Sequence, residues 1–150
     1  MTALPDFEAL AIGEQIPPFV RSTHFEEWNR YAAVNDEFIP IHMDDEAGRA
    51  AGNAAGAFGM GNLRLAYLVN MLRAWIGPDG EILSLKAKYR QMNQKGDRLR
   101  CTGEITGKEI VAGRALVRLT LDVVDQDGKS TTPGEATVAL AGQWPDPAGG

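Results

Sequence analysis

The segment Asn35-Asp36-Glu37-Phe38-Ile39-Pro40-Ile41-His42-Met43-Asp44 concentrates the groups capable of chemistry, including one of the chain's two histidines. A carboxylate and an imidazole separated by a proline bend can point at one shared water. One group takes a proton from it and a proton is returned elsewhere, which is general acid–base work. Phe38, Ile39 and Ile41 would partly desolvate the pair, and burial of this kind moves pKa values. His42 suits the task because an unperturbed imidazole titrates close to neutral pH. The same residues also fit a plainer role. A histidine in a loop often serves only as a hydrogen-bonding strut, and Asp44, Asp45 and Glu46 suit the first turn of a short helix, whose dipole favours acids.

A second candidate is Gly59-Met60-Gly61, just ahead of the longest apolar stretch. Amides at a helix start lack intrahelical partners, and glycine lets a ligand approach the backbone. A thioester oxygen gaining charge would suit such a place. The glycines serve equally well as a tight entry to the helix. No metal site is expected: His24 and His42 are the only histidines and Cys101 the only cysteine, too few for a zinc set. Cys101, in an alternating segment, is expected to pack rather than react.

These groups need elements to hold them. Thr23 followed by Glu26 is a capping-box pattern ahead of Phe25, Trp28, Tyr31 and Ala32, which predicts a helix to about Val34. Ile39 precedes a proline and is steered away from helical angles. A short helical turn is expected over Asp44 to Ala51. From Met60 to Ile76 apolar residues occupy nearly every face, which predicts a buried helix ending at Gly77-Pro78-Asp79-Gly80. Beyond it the period becomes two: Leu83 to Tyr89, Leu99 to Ile105, Ala115 to Val123 and Glu135 to Leu140 read as strands, with Asp127-Gly128 as a hairpin turn. An α+β unit follows, one antiparallel sheet curled around the long helix.

The 150 residues suit one domain, with a core spanning about 20–142. A net charge of −5 without a Lys/Arg cluster argues against nucleic acid as a partner. The stretch Leu63 to Ile76 is short and broken by Arg64, Asn70 and Arg73, so no membrane span is expected. Met1 to Ala11 lacks a basic start and an apolar run, and a cytoplasmic location is the expectation.

The run from Tyr31 through Asp36, Glu37, Pro40, Ile41 and His42 to Asp44 resembles the G-D-x-N-P-[LI]-H-x-D motif of the MaoC-like, (R)-specific enoyl-CoA hydratases. Ala57-Phe58-Gly59-Met60 resembles that family's [IL]-A-H-G-M stretch. Ser84 to Gly96-Asp97 resembles its strand ending in P-G-D, and Gly134 to Val138 its closing G-x-A-x-V strand. The resemblance implies a hot-dog fold, a long central helix wrapped by a curved antiparallel sheet. It implies reversible syn addition of water to a trans-2-enoyl thioester. His42 and a carboxylate would activate the water, and the Gly59 amide would polarise the carbonyl. The ungapped match makes Glu37 the acid; one inserted residue would leave that role to Asp36. Ile39 stands where the family has Asn, and Phe58 where it has His. The implied ligand is an acyl-CoA, or an acyl carrier protein thioester, as substrate and with no separate cofactor. The implied assembly is a homodimer or a hetero-oligomer with another hot-dog chain. The altered motif also admits a catalytically impaired partner subunit, and the fold admits an acyl-CoA thioesterase. Lys86, Lys88 and Arg90 alternate along one strand and read as a solvated face, although such a row can also meet phosphates.

Overall fold

A computed structural model describes residues 3–145. The elements are β1 (Phe19–Ser22), α1 (Phe25–Asn35), α2 (Pro40–Met43), α3 (Asp45–Ala50), α4 (Gly61–Ile76), β2 (Glu81–Ala87), β3 (Arg98–Val111), β4 (Arg114–Val124) and β5 (Gly134–Ala139). The five strands form one antiparallel sheet in the order β1-β3-β4-β5-β2.

The period-two pattern explains the sheet's inner face. Leu99, Cys101, Gly103 and Ile105 on β3, and Ala115, Val117, Leu119, Leu121 and Val123 on β4, are buried, while residues between them are largely exposed or half-buried. Register shifts at Ile105/Gly107 in β3 and Ile82/Ser84 in β2 mark bulges. A bulge adds twist and bends its strand, which curls the sheet toward α4. α4 lies inside that curl, against β1, β2, β3 and β4. It contributes Leu68, Met71, Leu72 and Ile76, each almost fully buried.

Four expectations need correction. The cap of α1 falls one residue later than the Thr23–Glu26 pattern: His24 is the N-cap, and its N–H donates to Glu27 Oε2 at 2.8 Å. Thr23 is instead buried, its N–H and hydroxyl both directed at the Asp97 carbonyl, so tertiary contact overrides the local pattern. β1 was not expected, because four residues are too few to show a period; it exists because its register with β3 pairs Phe19 with Cys101 and Ser22 with Arg98. The turn α2 was not expected either. Finally, α4 is not buried all round. Asn62, Asn70, Arg73 and Ala74 are exposed, and Leu65, Ala66 and Val69 are half-buried.

Candidate active site

Proline makes the bend. Ile39 takes extended angles (φ −93°, ψ 125°) and Pro40 opens α2 at its first helical position, where its missing N–H costs nothing. One turn later His42 points inward and is 8% exposed. Asp44 ends α2 and caps α3, its carboxylate accepting from the Ala47 N–H at 2.7 Å. Asp44 therefore serves a helix start, as the plainer reading had it, whereas Asp45 is turned to the segment before α4.

His42 Nδ1 lies 2.7 Å from the Phe58 carbonyl oxygen. A carbonyl can only accept, so Nδ1 carries a proton and Nε2 of the neutral ring is the basic nitrogen. The Phe58 ring also packs edge-on to the imidazole at 5.2 Å between centroids. This acceptor sits in a segment held from several sides. Phe58 N–H donates to the Ile41 carbonyl (3.3 Å), and Gly59 N–H donates to the Asn93 carbonyl (2.9 Å). The Asp45 carboxylate accepts from Ala57 N–H at 2.9 Å and pairs with Lys95, which together lower its pKa, the Lys95 bond contributing most. Gly48 in α3 abuts Gly56 so closely that a Cβ would lie 2.2 Å from the Gly56 carbonyl oxygen.

The two candidate acids differ. Asp36 caps the C-terminus of α1 in the left-handed conformation (φ 53°, ψ 41°), one that Asp and Asn tolerate better than other side chains do. Its side chain is exposed and makes no hydrogen bond among the described residues. Glu37 is half-buried and turns toward the start of α4, where Asn62 Nδ2 donates to its carboxylate at 3.3 and 3.5 Å. Its charge helps to raise the pKa of both Tyr31 and Tyr89, although burial is the larger cause in each. Neither Asp36 nor Glu37 forms an ion pair with His42.

Gly59 stands where it was expected, before α4, but its N–H is engaged by Asn93. A Cβ there would meet the Asn93 side chain at 2.3 Å, so the glycine is needed for this close approach. No group of three or more His, Cys, Asp or Glu side chains able to hold a metal occurs among the described residues. Cys101 is buried and its thiol is pushed up to about 12 by burial, as suits packing rather than nucleophilic work. Lys86, Lys88 and Arg90 are exposed and border a cavity of about 370 Å³ with Pro133, Gly134 and Glu135. A second cleft, about 340 Å³, runs between α1 and α4 past Tyr31, Val34, Leu63 and Tyr67 toward Arg21 and Arg30. Phe38, expected to help desolvate the acid and the imidazole, is 59% exposed, and Met71 is core.

Asn62, Tyr89 and Arg64 went unremarked as functional residues in the sequence. Arg64 is 3% exposed, directs Nη1 to the Gln91 carbonyl at 2.6 Å, and has its pKa lowered to about 10 by burial. Asn62 and Arg64 showed only as polar residues near the start of an otherwise apolar stretch, and Tyr89 only as the last member of the alternation from Leu83.

The architecture is a hot-dog fold, the class to which (R)-hydratases and MaoC-like dehydratases of known structure also conform. No protein-family model and no curated protein sequence matches the chain. Solved structures do. The chain is similar to the (R)-hydratase from A. caviae involved in PHA biosynthesis, with a TM-score of 0.79 and 20% identity over 89% of this chain and 99% of that one. It is similar to the MaoC-like dehydratase from Rhodospirillum rubrum, with a TM-score of 0.74 and 20% identity over 92% and 97%. The ChsH1–ChsH2 complex from Mycobacterium tuberculosis matches with a TM-score of 0.76 and 16% identity over 87% and 98%. At such identities the likeness is one of fold.

Proposed function

We propose that the chain is a hydratase or dehydratase that reversibly adds water to a trans-2-enoyl thioester, with His42 and Glu37 as its acid–base pair. The observation that carries this reading is the Nδ1 bond to Phe58, which leaves Nε2 of a mostly buried imidazole as its free, basic nitrogen. In the hydration direction the water oxygen bonds to C3 as one water proton passes to the pair. The electrons of the double bond move to C2, which takes a proton from the pair, so no net proton is consumed. The absence of a direct ion pair between Glu37 and His42 is compatible with a water held between them. The thioester carbonyl would be polarised near the start of α4. With the Gly59 N–H engaged by Asn93, that role there requires either displacement of the Asn93 carbonyl or use of the neighbouring Met60 and Gly61 amides.

The substrate class proposed is acyl-CoA, with an acyl carrier protein thioester as the variant carrier. Adding crotonyl-CoA or a longer enoyl-CoA to the purified chain should bleach the enoyl-thioester absorbance band, and His42→Ala should abolish the loss. Persistence of the band with wild-type protein across chain lengths would remove this reading, and release of free thiol would replace it with thioester hydrolysis.

A second reading rests on Ile39 and Phe58, which depart from the resembled motif, and on β2, whose outer edge has no neighbour among the described residues. In it the chain works only beside another hot-dog subunit, as a ChsH1–ChsH2 type of complex would suggest. Activity that emerges only on adding a second such chain supports it; full activity of the pure homo-oligomer removes it.

A further inference from the structure

We propose that Asn62 and Tyr89 are positioning residues that hold the Glu37 carboxylate for reaction, a relay running from β2's end to the acid through the first turn of α4. This rests on the hydratase reading above. Tyr89 Oη–H donates to Asn62 Oδ1 at 2.9 Å, and Asn62 Nδ2–H donates to Glu37 Oε1 at 3.3 Å and Oε2 at 3.5 Å. Direction is what makes this a relay. An amide can present either end to a neighbour, and a carboxylate accepts only from the NH₂ end. With its oxygen occupied by the phenol, Asn62 turns its donors to Glu37.

Tyr89 is itself held. Its ring lies on Gly61, where an added Cβ would come within 2.5 Å of Cδ2, so only glycine admits it. The buried Arg64 guanidinium sits 5.7 Å from the ring centroid and is anchored by the Gln91 carbonyl. The phenol is thus placed by backbone and by a packed cation, despite being 48% exposed.

The need for a relay follows from the acid's length. Glu37 has three side-chain torsions, and an unrestrained glutamate samples many carboxylate positions. A general base must lie within hydrogen-bond reach of its proton for the chemistry to proceed, and misplacement by an ångström is costly. Asn62 bridges both carboxylate oxygens and so limits that freedom.

The test is a double-mutant cycle on the full chain with an enoyl-CoA substrate. Asn62→Ala should lower kcat by roughly 10- to 100-fold while KM stays within about twofold. Tyr89→Phe should lower kcat less, and adding it to Asn62→Ala should cost nothing further, because the phenol acts through the amide. Asn62→Asp, which opposes two carboxylates, should be worse than Asn62→Ala. Additive losses, or unchanged kcat in Asn62→Ala, overturn the relay. If the wild-type chain turns over no enoyl thioester, the hydratase reading fails separately. The relay is then judged by NMR: the Asn62 side-chain amide resonances should move in both Glu37→Gln and Tyr89→Phe, and resonances unmoved in either overturn it.

Discussion

Asp36 and Glu37 are adjacent acids with different reasons to be there. Asp36 is where α1 stops, in a left-handed conformation that costs an ordinary side chain about 1 kcal/mol or more, and no described group engages its carboxylate. Asp36→Asn should therefore keep both activity and stability, and Asp36→Gly should be tolerated, whereas Asp36→Val should lower stability by about 1–2 kcal/mol in chemical denaturation. Glu37→Gln keeps the shape but removes the proposed base. Its kcat with an enoyl-CoA should fall by about 10²-fold or more, and a variant that retained wild-type kcat would move the acid role elsewhere. The pair could not be separated from spacing alone, because the question is one of backbone conformation: only a positive φ at position 36 shows that one of the two acids has a conformational reason to be there. His42 at a bend was legible because Pro40 stands two residues before it. Its tautomer was not, since that depends on a carbonyl sixteen residues away.

At the scale of elements, the β3–β4 hairpin turns through Ala112 and Gly113, both at positive φ (50° and 75°). Two-residue hairpins of this geometry favour Asn-Gly, and alanine at the first position is strained. Ala112→Asn or Ala112→Gly should raise the unfolding free energy by about 0.5–1 kcal/mol, read as a higher denaturant midpoint with an unchanged m-value. The long strands and α4 could be read in advance because their periods run for many residues and their burial follows the period. β1 and α2 could not, being four residues each, set by a tertiary register in one case and by a proline in the other. The exposed side of α4 was equally hidden: half-buried Leu65, Ala66 and Val69 look no different in sequence from core residues. Apolar composition predicts burial in something, and that need not be the same chain.

For the molecule as a whole, the core carries two acids kept neutral by burial. Cys101 and Tyr67 are each pushed up to about 12, from ordinary values of 9 and 10. A raised folded-state pKa means that the folded state holds its proton where the unfolded chain has begun to lose it. That contribution to stability is complete below pH 9 and is lost as pH rises toward 12. The slope from Cys101 alone is about 1.4 kcal/mol per pH unit within that window. Cys101→Val should flatten the alkaline limb of stability against pH without changing it near neutrality. A thiol reagent at pH 8 should leave native Cys101 untouched; rapid labelling would mean that the core opens far more readily than this packing implies.

The contact between Gly48 and the Gly56 carbonyl reaches further than its size suggests. Two residues beyond Gly56 lies the oxygen that decides which imidazole nitrogen is protonated. A single methyl at position 48 would push that strip of chain outward, and the ring could lose its preferred tautomer while every acid and base was still encoded. In a random screen for dead enzyme, Gly48→Ala should surface among the hits as an apparent lesion of chemistry whose true origin is steric.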